Sequence, residues 1–196
     1  DGSDACNRIA SMLGIRSHVA NISTACSSSA NAIMLGARLI RAGMVDRVFV
    51  GGMDSLARFS INGFNSLEIL SPTGCHPFDH NRDGVTIAEG AAFLVLEAEE
   101  VVGQRPVYGE IKGYANANSA YHQTASSPNG EGAVAVIQAA LKKAALQPSE
   151  IDYINAHGTG TKNNDISEGR AMATVFGDAI PPFSSTKGYT GHTLAS

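Results

Sequence analysis

Three observations predict an α/β protein whose mainly parallel sheet is covered by helices. The runs at 47–52 and 91–97 are short and apolar apart from the terminal Arg47 and Glu97, the pattern of strands buried on both faces. Strand-like and helix-like segments alternate along the 196 residues, the order that lays helices over a parallel sheet. Glycine is abundant at 21 residues and tryptophan is absent, a mixture that lets helices press closely on strands.

Taken in order, residues 19–22 (Val-Ala-Asn-Ile) are partly β-branched and read as an extended approach. Residues 28–41 are Ala-rich, with Ile33, Ala37 and Ile40 on one helical face. The Ser and Thr residues before them are the usual helix-start types. The run at 47–52 ends in two glycines, so it reads as a strand entering a turn. Residues 59–70 lead to a turn-rich patch at 71–84, then comes the strand at 91–97, and 97–106 connects to a second half. That half opens with an expected strand at 107–113 and a polar loop at 116–132. A helix is expected at 133–145, where Val134, Ile137, Ala140, Leu141 and Ala144 share a face. Strands at 151–155 and 182–186 flank a helix at 167–176. The last residues, 193–196, read as the opening of another helix, so the sequence reads as a segment of something longer. There is no tandem repeat, low-complexity tract or heptad run.

Composition excludes several classes. A formal net charge of −4 gives no electrostatic footprint for nucleic acid. No stretch approaches the apolar length of a membrane span, and the polar opening (Asp1-Gly-Ser-Asp4) is no secretory signal. Cys6, Cys26 and Cys75 are odd in number and widely spaced, with neither a C-x-x-C pair nor a Cys/His zinc pattern. A disulfide scaffold and a bound metal are therefore not expected, and a reducing cytoplasm is. Cys6 and Cys75 read as structural or incidental thiols.

Cys26 is the exception. In Ser23-Thr-Ala-Cys26-Ser-Ser-Ser it falls at, or within a residue or two of, a helix start, where the positive end of the dipole favours a thiolate. Two histidines complete a pattern. His157, in Ala-His-Gly-Thr-Gly-Thr161, directly follows the expected strand at 151–155, and His192 closes Gly188-Tyr-Thr-Gly-His192 after the next strand, with Lys187 between. Residues at the carboxyl ends of strands are where open α/β sheets place their ligands. His18, His76, His80 and His122 lack this context and read as loop or surface residues, His122 beside Thr124 being a modest exception.

These segments, with Val50-Gly-Gly-Met-Asp54, Pro77-Phe-Asp-His-Asn-Arg-Asp-Gly84 and Glu89-Gly90, together resemble the β-ketoacyl synthase family of the thiolase superfamily. The resemblance runs through almost the whole chain and is closest to the elongating Cys-His-His type. It implies a thiolase-like fold, layered α-β-α-β-α, with two pseudo-equivalent halves and incomplete at both ends. Residues 1–104 would supply the later part of the first half, with the nucleophile. Residues 105–196 would supply the early part of the second, with the His, Lys and His motifs.

The implied reaction is decarboxylative Claisen condensation between an acyl-Cys26 intermediate and a malonyl thioester, in fatty acid, polyketide or polyene synthesis. Cys26, His157, His192 and Lys187 would be the catalytic set. Glu168 would be the carboxylate paired with Lys187, and Thr159 and Thr161, with Thr124, would line the phosphopantetheine channel. No resident cofactor is implied, since the phosphopantetheine arm comes on the acyl carrier protein. That carrier and a homodimer or related heterodimer mate, pairing through residues 19–25, are the implied partners. Two features depart from the family pattern: Lys162-Asn-Asn-Asp165 replaces a Pro-x-Gly-Asp turn, and the segment at 72–76 is short. The rival expectations are a non-catalytic scaffold subunit or inactive fragment of the same fold, and a papain-type Cys-His hydrolase needing a single histidine.

Overall fold

The structure, a computed structural model, describes residues 2–122 and 125–196. Helices α1 (Gly2–Met12) and α2 (Ser28–Arg41) precede strand β1 (Arg47–Asp54), helix α3 (Arg58–Ser66), strand β2 (Gly90–Glu97) and the short α4 (Glu99–Val102). Then follow α5 (Glu131–Ala144), a 3-10 turn at Pro148–Glu150, β3 (Ile154–Asn155), α6 (Lys162–Phe176), β4 (Phe183–Ser184) and α7 (Lys187–Thr190). The chain forms two compact units: residues 1–53, 91–104 and 195–196 make one, and 54–90 with 105–194 make the other.

In the first unit β1 pairs with β2. The pair is fastened by stacked Phe49 and Phe93 rings, 4.9 Å between centroids, and by an Arg47–Glu97 ion pair at 2.5 Å. Helix α2 lies on this pair through Gly36, whose missing side chain is essential: a Cβ there would sit 2.7 Å from Val50 Cγ1. Val50 and Ala37 are buried in that contact. Helix α2 ends at Gly43, whose φ of 66° closes the helix with a hydrogen bond from Met44 N–H to Leu39 O.

In the second unit β3 and β4 pair in parallel, Ile154 opposite Phe183 and Asn155 opposite Ser184. Helix α6 packs on α5 and carries much of this unit's core, with Ala171, Met172 and Phe176 buried. The parallel ladder sends both β3 and β4 towards the same edge. The residues that follow each strand, 156–161 and 185–192, therefore emerge side by side.

Several expectations are corrected. Residues 107–113 form no strand; Val107, Tyr108 and Ile111 give a tendency to extend, but a strand also needs a laterally bonded neighbour in register. Residues 193–196 make a turn rather than a helix, with Leu194 at φ 53°. The helix expected from 167 begins at Lys162, so Lys162-Asn-Asn-Asp165 is a first helical turn and not a loop. The unanticipated α1 carries an exposed Asp4–Arg8 pair one turn apart. Strand β2 was expected to be covered on both faces, yet Leu94 and Val95 are more than half exposed. A two-stranded pair with one helix on it buries only part of its apolar surface.

Candidate active site

Cys26 belongs to the first unit, two residues before α2. It is exposed, whereas Cys6 is half-buried and Cys75 buried, and none of the three forms a disulfide among the described residues. The approach to Cys26 is a strained elbow: Ala25 has φ 51°, a left-handed conformation that costs a non-glycine residue about 1–2 kcal/mol. Hydroxyls hold it there. Ser27 Oγ donates to Thr24 O at 2.8 Å, Ser28 Oγ donates to Ala25 O at 2.6 Å, and Asn31 Nδ2 donates to Thr24 Oγ1 at 2.8 Å. The serine-rich context is thus a brace for a sharp turn immediately before the sulfur.

The second unit brings His157, His192, Lys187 and Glu168 together. The two imidazoles meet edge to face, 5.3 Å between centroids. His192 is 4% exposed and pinned through its backbone: its N–H donates to Thr86 O at 2.7 Å and its carbonyl accepts from Ala88 N–H at 2.9 Å. Its Nδ1 accepts the Leu194 N–H at 3.1 Å, so the proton of the neutral ring resides on Nε2. The His157 Nδ1 lies 3.5 Å from Lys187 Nζ. An ammonium has only protons to offer, so His157 Nδ1 is the acceptor and its Nε2 also carries the proton. Both rings therefore present Nε2–H.

Both rings are neutral. Burial pushes His157 down to about 4, with the Lys187 ammonium adding repulsion. Burial likewise takes His192 to about 4, reinforced by His157 and then Lys187. Because the folded values lie below the ordinary 6.5, the unfolded chain takes up protons first as pH falls. The stabilisation from these rings is complete above about pH 6.5 and is lost towards pH 4, at about 1.4 kcal/mol per unit of pKa separation. Urea unfolding at pH 7, 5.5 and 4.5 should show this loss, and a His157→Gln/His192→Gln double variant should flatten it. An unchanged slope in that variant would place the acid sensitivity elsewhere.

The loop carrying His157 is clamped from several sides. Glu168 accepts the His157 N–H at 2.6 Å and the Gly158 N–H at 2.8 Å. Ser185 Oγ donates to His157 O and Gly158 O at 3.2 and 3.1 Å and accepts the Lys187 N–H at 3.3 Å, tying the two loops. Gly158 has φ 44°, and a Cβ there would stand 2.5 Å from Ser185 Cβ. Thr159 is buried, its hydroxyl 2.9 Å from that of Thr161. Cys75 Sγ donates to Thr159 O at 3.3 Å, and burial raises this thiol, which is a structural part of the loop support. Thr124 lies outside the described residues.

Sequence reasoning missed Ser185, Asp165 and Arg82. Asp165 is almost wholly buried and accepts the Phe78 N–H at 2.7 Å and the Gly160 N–H at 3.3 Å. Arg82 Nε faces it at 3.6 Å. An acidic residue so near a histidine loop was a readable signal; its arginine partner, far away in the chain, was not.

Two histidines donating Nε2–H from paired strand-end loops, beside a lysine, make a site suited to stabilising a developing oxyanion. Residues 1–101 match the profile of the beta-ketoacyl synthase N-terminal domain, and residues 108–196 that of the beta-ketoacyl synthase C-terminal domain. The chain belongs to the beta-ketoacyl synthase family, within the thiolase superfamily. Its α/β fold is the thiolase-like fold of the ketosynthases. Among curated relatives, a 3-oxoacyl-[acyl-carrier-protein] synthase 2 of Staphylococcus aureus is 38% identical over 183 residues, 88% of this chain and 45% of that protein. A putative mitochondrial 3-oxoacyl-[acyl-carrier-protein] synthase of Schizosaccharomyces pombe is also 38% identical, over 88% of this chain and 44% of its own length. The chain thus spans a little under half the length of these relatives. A ketosynthase from Xenorhabdus doucetiae, solved in complex with its chain length factor, superposes with a TM-score of 0.92 at 46% identity, covering all of this chain and 47% of that one. A type II polyketide ketosynthase solved with its acyl-carrier protein gives 0.95 at 38% identity, over all of this chain and 51% of that one.

Proposed function

We propose that the protein carrying this chain is a β-ketoacyl synthase, an acyltransferase that lengthens an acyl chain by decarboxylative Claisen condensation. The observation that carries the reading is the pair of neutral imidazoles, His157 and His192, edge to face, each accepting a hydrogen bond at Nδ1 so that its ring proton sits on Nε2. Cys26 is the nucleophile. Its sulfur attacks the carrier thioester, a C–S bond forms, and the carrier thiolate leaves; a thiolate suits this exchange because attacking and leaving groups are matched. The malonyl thioester then loses CO2, and the electron pair of the broken C–C bond passes into an enolate. Nε2–H of His157 and of His192 stabilise that enolate oxygen. The enolate carbon attacks the acyl-Cys26 carbonyl, and the Cys26 thiolate departs.

Lys187 orders the site electrostatically, holding the His157 tautomer, and Glu168 fixes the backbone of the same loop. Thr159 and Thr161 line the approach of the phosphopantetheine arm, which arrives on an acyl carrier protein and is substrate rather than resident cofactor. Residues 1–104 and 105–196 act as the nucleophile-bearing and histidine-bearing parts of two related halves. A dimer, with itself or with a related partner, and a cytoplasmic setting complete the reading. The similar structures solved with a carrier protein and with a chain length factor support these partners. Among the described residues, no helix is long and apolar enough to cross a membrane.

Incubating the full-length protein with an acyl carrier thioester should add one acyl mass, read by intact mass spectrometry. Cys26→Ala should remove that adduct. No adduct on the wild type, or an undiminished adduct on the variant, would overturn the assignment.

A further inference from the structure

Resting on the condensation reading above, we propose that Phe78 and Arg82 are positioning residues for His157, acting on the histidine loop from the 76–84 segment. Phe78 sits at φ 61°, a conformation that a bulky side chain adopts only when its surroundings impose it. What imposes it is visible. Its N–H donates to Asp165 Oδ2 at 2.7 Å, and its ring packs edge to face on Phe183, 5.0 Å between centroids. The same ring fills the space beside Gly158, where a Cβ would come within 2.9 Å of it. The residue next to His157 is thereby wedged between Phe78 and Ser185.

Arg82 supplies the countercharge. Its side chain is 14% exposed and that of Asp165 1%, so neither is well hydrated. Its Nε faces Asp165, Nη1 donates to Asp79 O at 2.7 Å, and Nη2 donates to Lys162 O at 3.3 Å, at the start of α6. Asp165 passes this constraint to the histidine loop through the Gly160 N–H. One guanidinium therefore braces the turn bearing Phe78, the helix start and the loop of His157. No atom of Phe78 or Arg82 is assigned contact with substrate.

A positioning role separates two half-reactions. Acyl transfer uses the thiol, whereas decarboxylation uses the imidazoles. In the full-length protein, at a temperature where circular dichroism shows each variant folded, Arg82→Gln and Phe78→Ala should slow malonyl-carrier decarboxylation roughly tenfold or more, as sub-ångström misplacement of a catalytic group does. Acylation of Cys26 by an acyl carrier thioester should stay within about twofold, and Arg82→Lys should recover part of the decarboxylation rate because it restores the charge beside Asp165. Equal loss of both half-reactions, or no loss of decarboxylation in either variant, overturns the proposal. His157→Ala run in parallel distinguishes the failures. If it decarboxylates normally, the functional reading falls and takes this inference with it; if it is impaired while Arg82→Gln and Phe78→Ala are not, only this inference falls.

Discussion

His192→Ala is expected to lower malonyl decarboxylation and overall condensation by about 10²–10³-fold, the usual cost of removing one preorganised oxyanion donor. The reason is geometric. His192 is locked by three backbone bonds, two through its own main chain and one from Leu194 N–H to Nδ1, so its Nε2–H has a fixed direction and needs no reorganisation as charge develops. A water entering the vacated space would not be held in that way. His157→Ala should cost a similar amount, and the double variant much less than the product of the two, since paired donors acting on one oxygen are not additive. The pH profile adds a sharper check. With both rings held neutral down to about 4, decarboxylation should stay level from pH 8 to about 5. A midpoint near 6.5 would mean that at least one ring is not desolvated in the working enzyme. A His192→Ala variant that still decarboxylates at the full rate would remove that ring from the mechanism altogether.

The candidate residues were readable because each combines a reactive side chain with a local signature. Cys26 precedes an Ala-rich amphipathic stretch, and His157 and His192 follow short apolar runs in glycine-rich loops. What the sequence could not yield is how those loops are held. The Nδ1 partners of the two rings are a backbone amide and a lysine, and only the fold determines which nitrogen either reaches. The start of α6 was misplaced because Asn163, Asn164 and Asp165 are weak helix formers, whose side chains compete for the backbone. Here Asp165 instead directs its carboxylate to the Phe78 and Gly160 N–H groups, leaving the helical hydrogen bond from its own N–H to Thr161 O intact at 3.2 Å. The run at 107–113 erred in the opposite sense, since propensity without a lateral neighbour makes no ladder. Fold class rests on alternation of elements and survives such local errors; the support of a loop rests on pairs such as Arg82 and Asp165, for which no periodicity exists.

Asp165→Ala should be among the most destabilising single changes in the chain, by about 3–5 kcal/mol, because it leaves a largely buried guanidinium without its countercharge. It also strips acceptors from the Phe78 and Gly160 N–H groups, which lie where water is scarce. Part of the loss should then return as relaxation of Phe78 from its left-handed conformation, which the carboxylate no longer enforces. Asp165→Asn keeps one acceptor oxygen and the side-chain volume, so it should cost clearly less than the alanine change. The ion pair itself is isolated by a double-variant cycle with Arg82→Ala in urea unfolding. If the charges are coupled as their burial requires, the double variant will be more stable than the sum of the single losses predicts, by 1 kcal/mol or more in round terms. Strict additivity would mean that Arg82 is solvated well enough to stand alone, and that the brace on the histidine loop is carried by the backbone hydrogen bonds to Asp165 without help from charge.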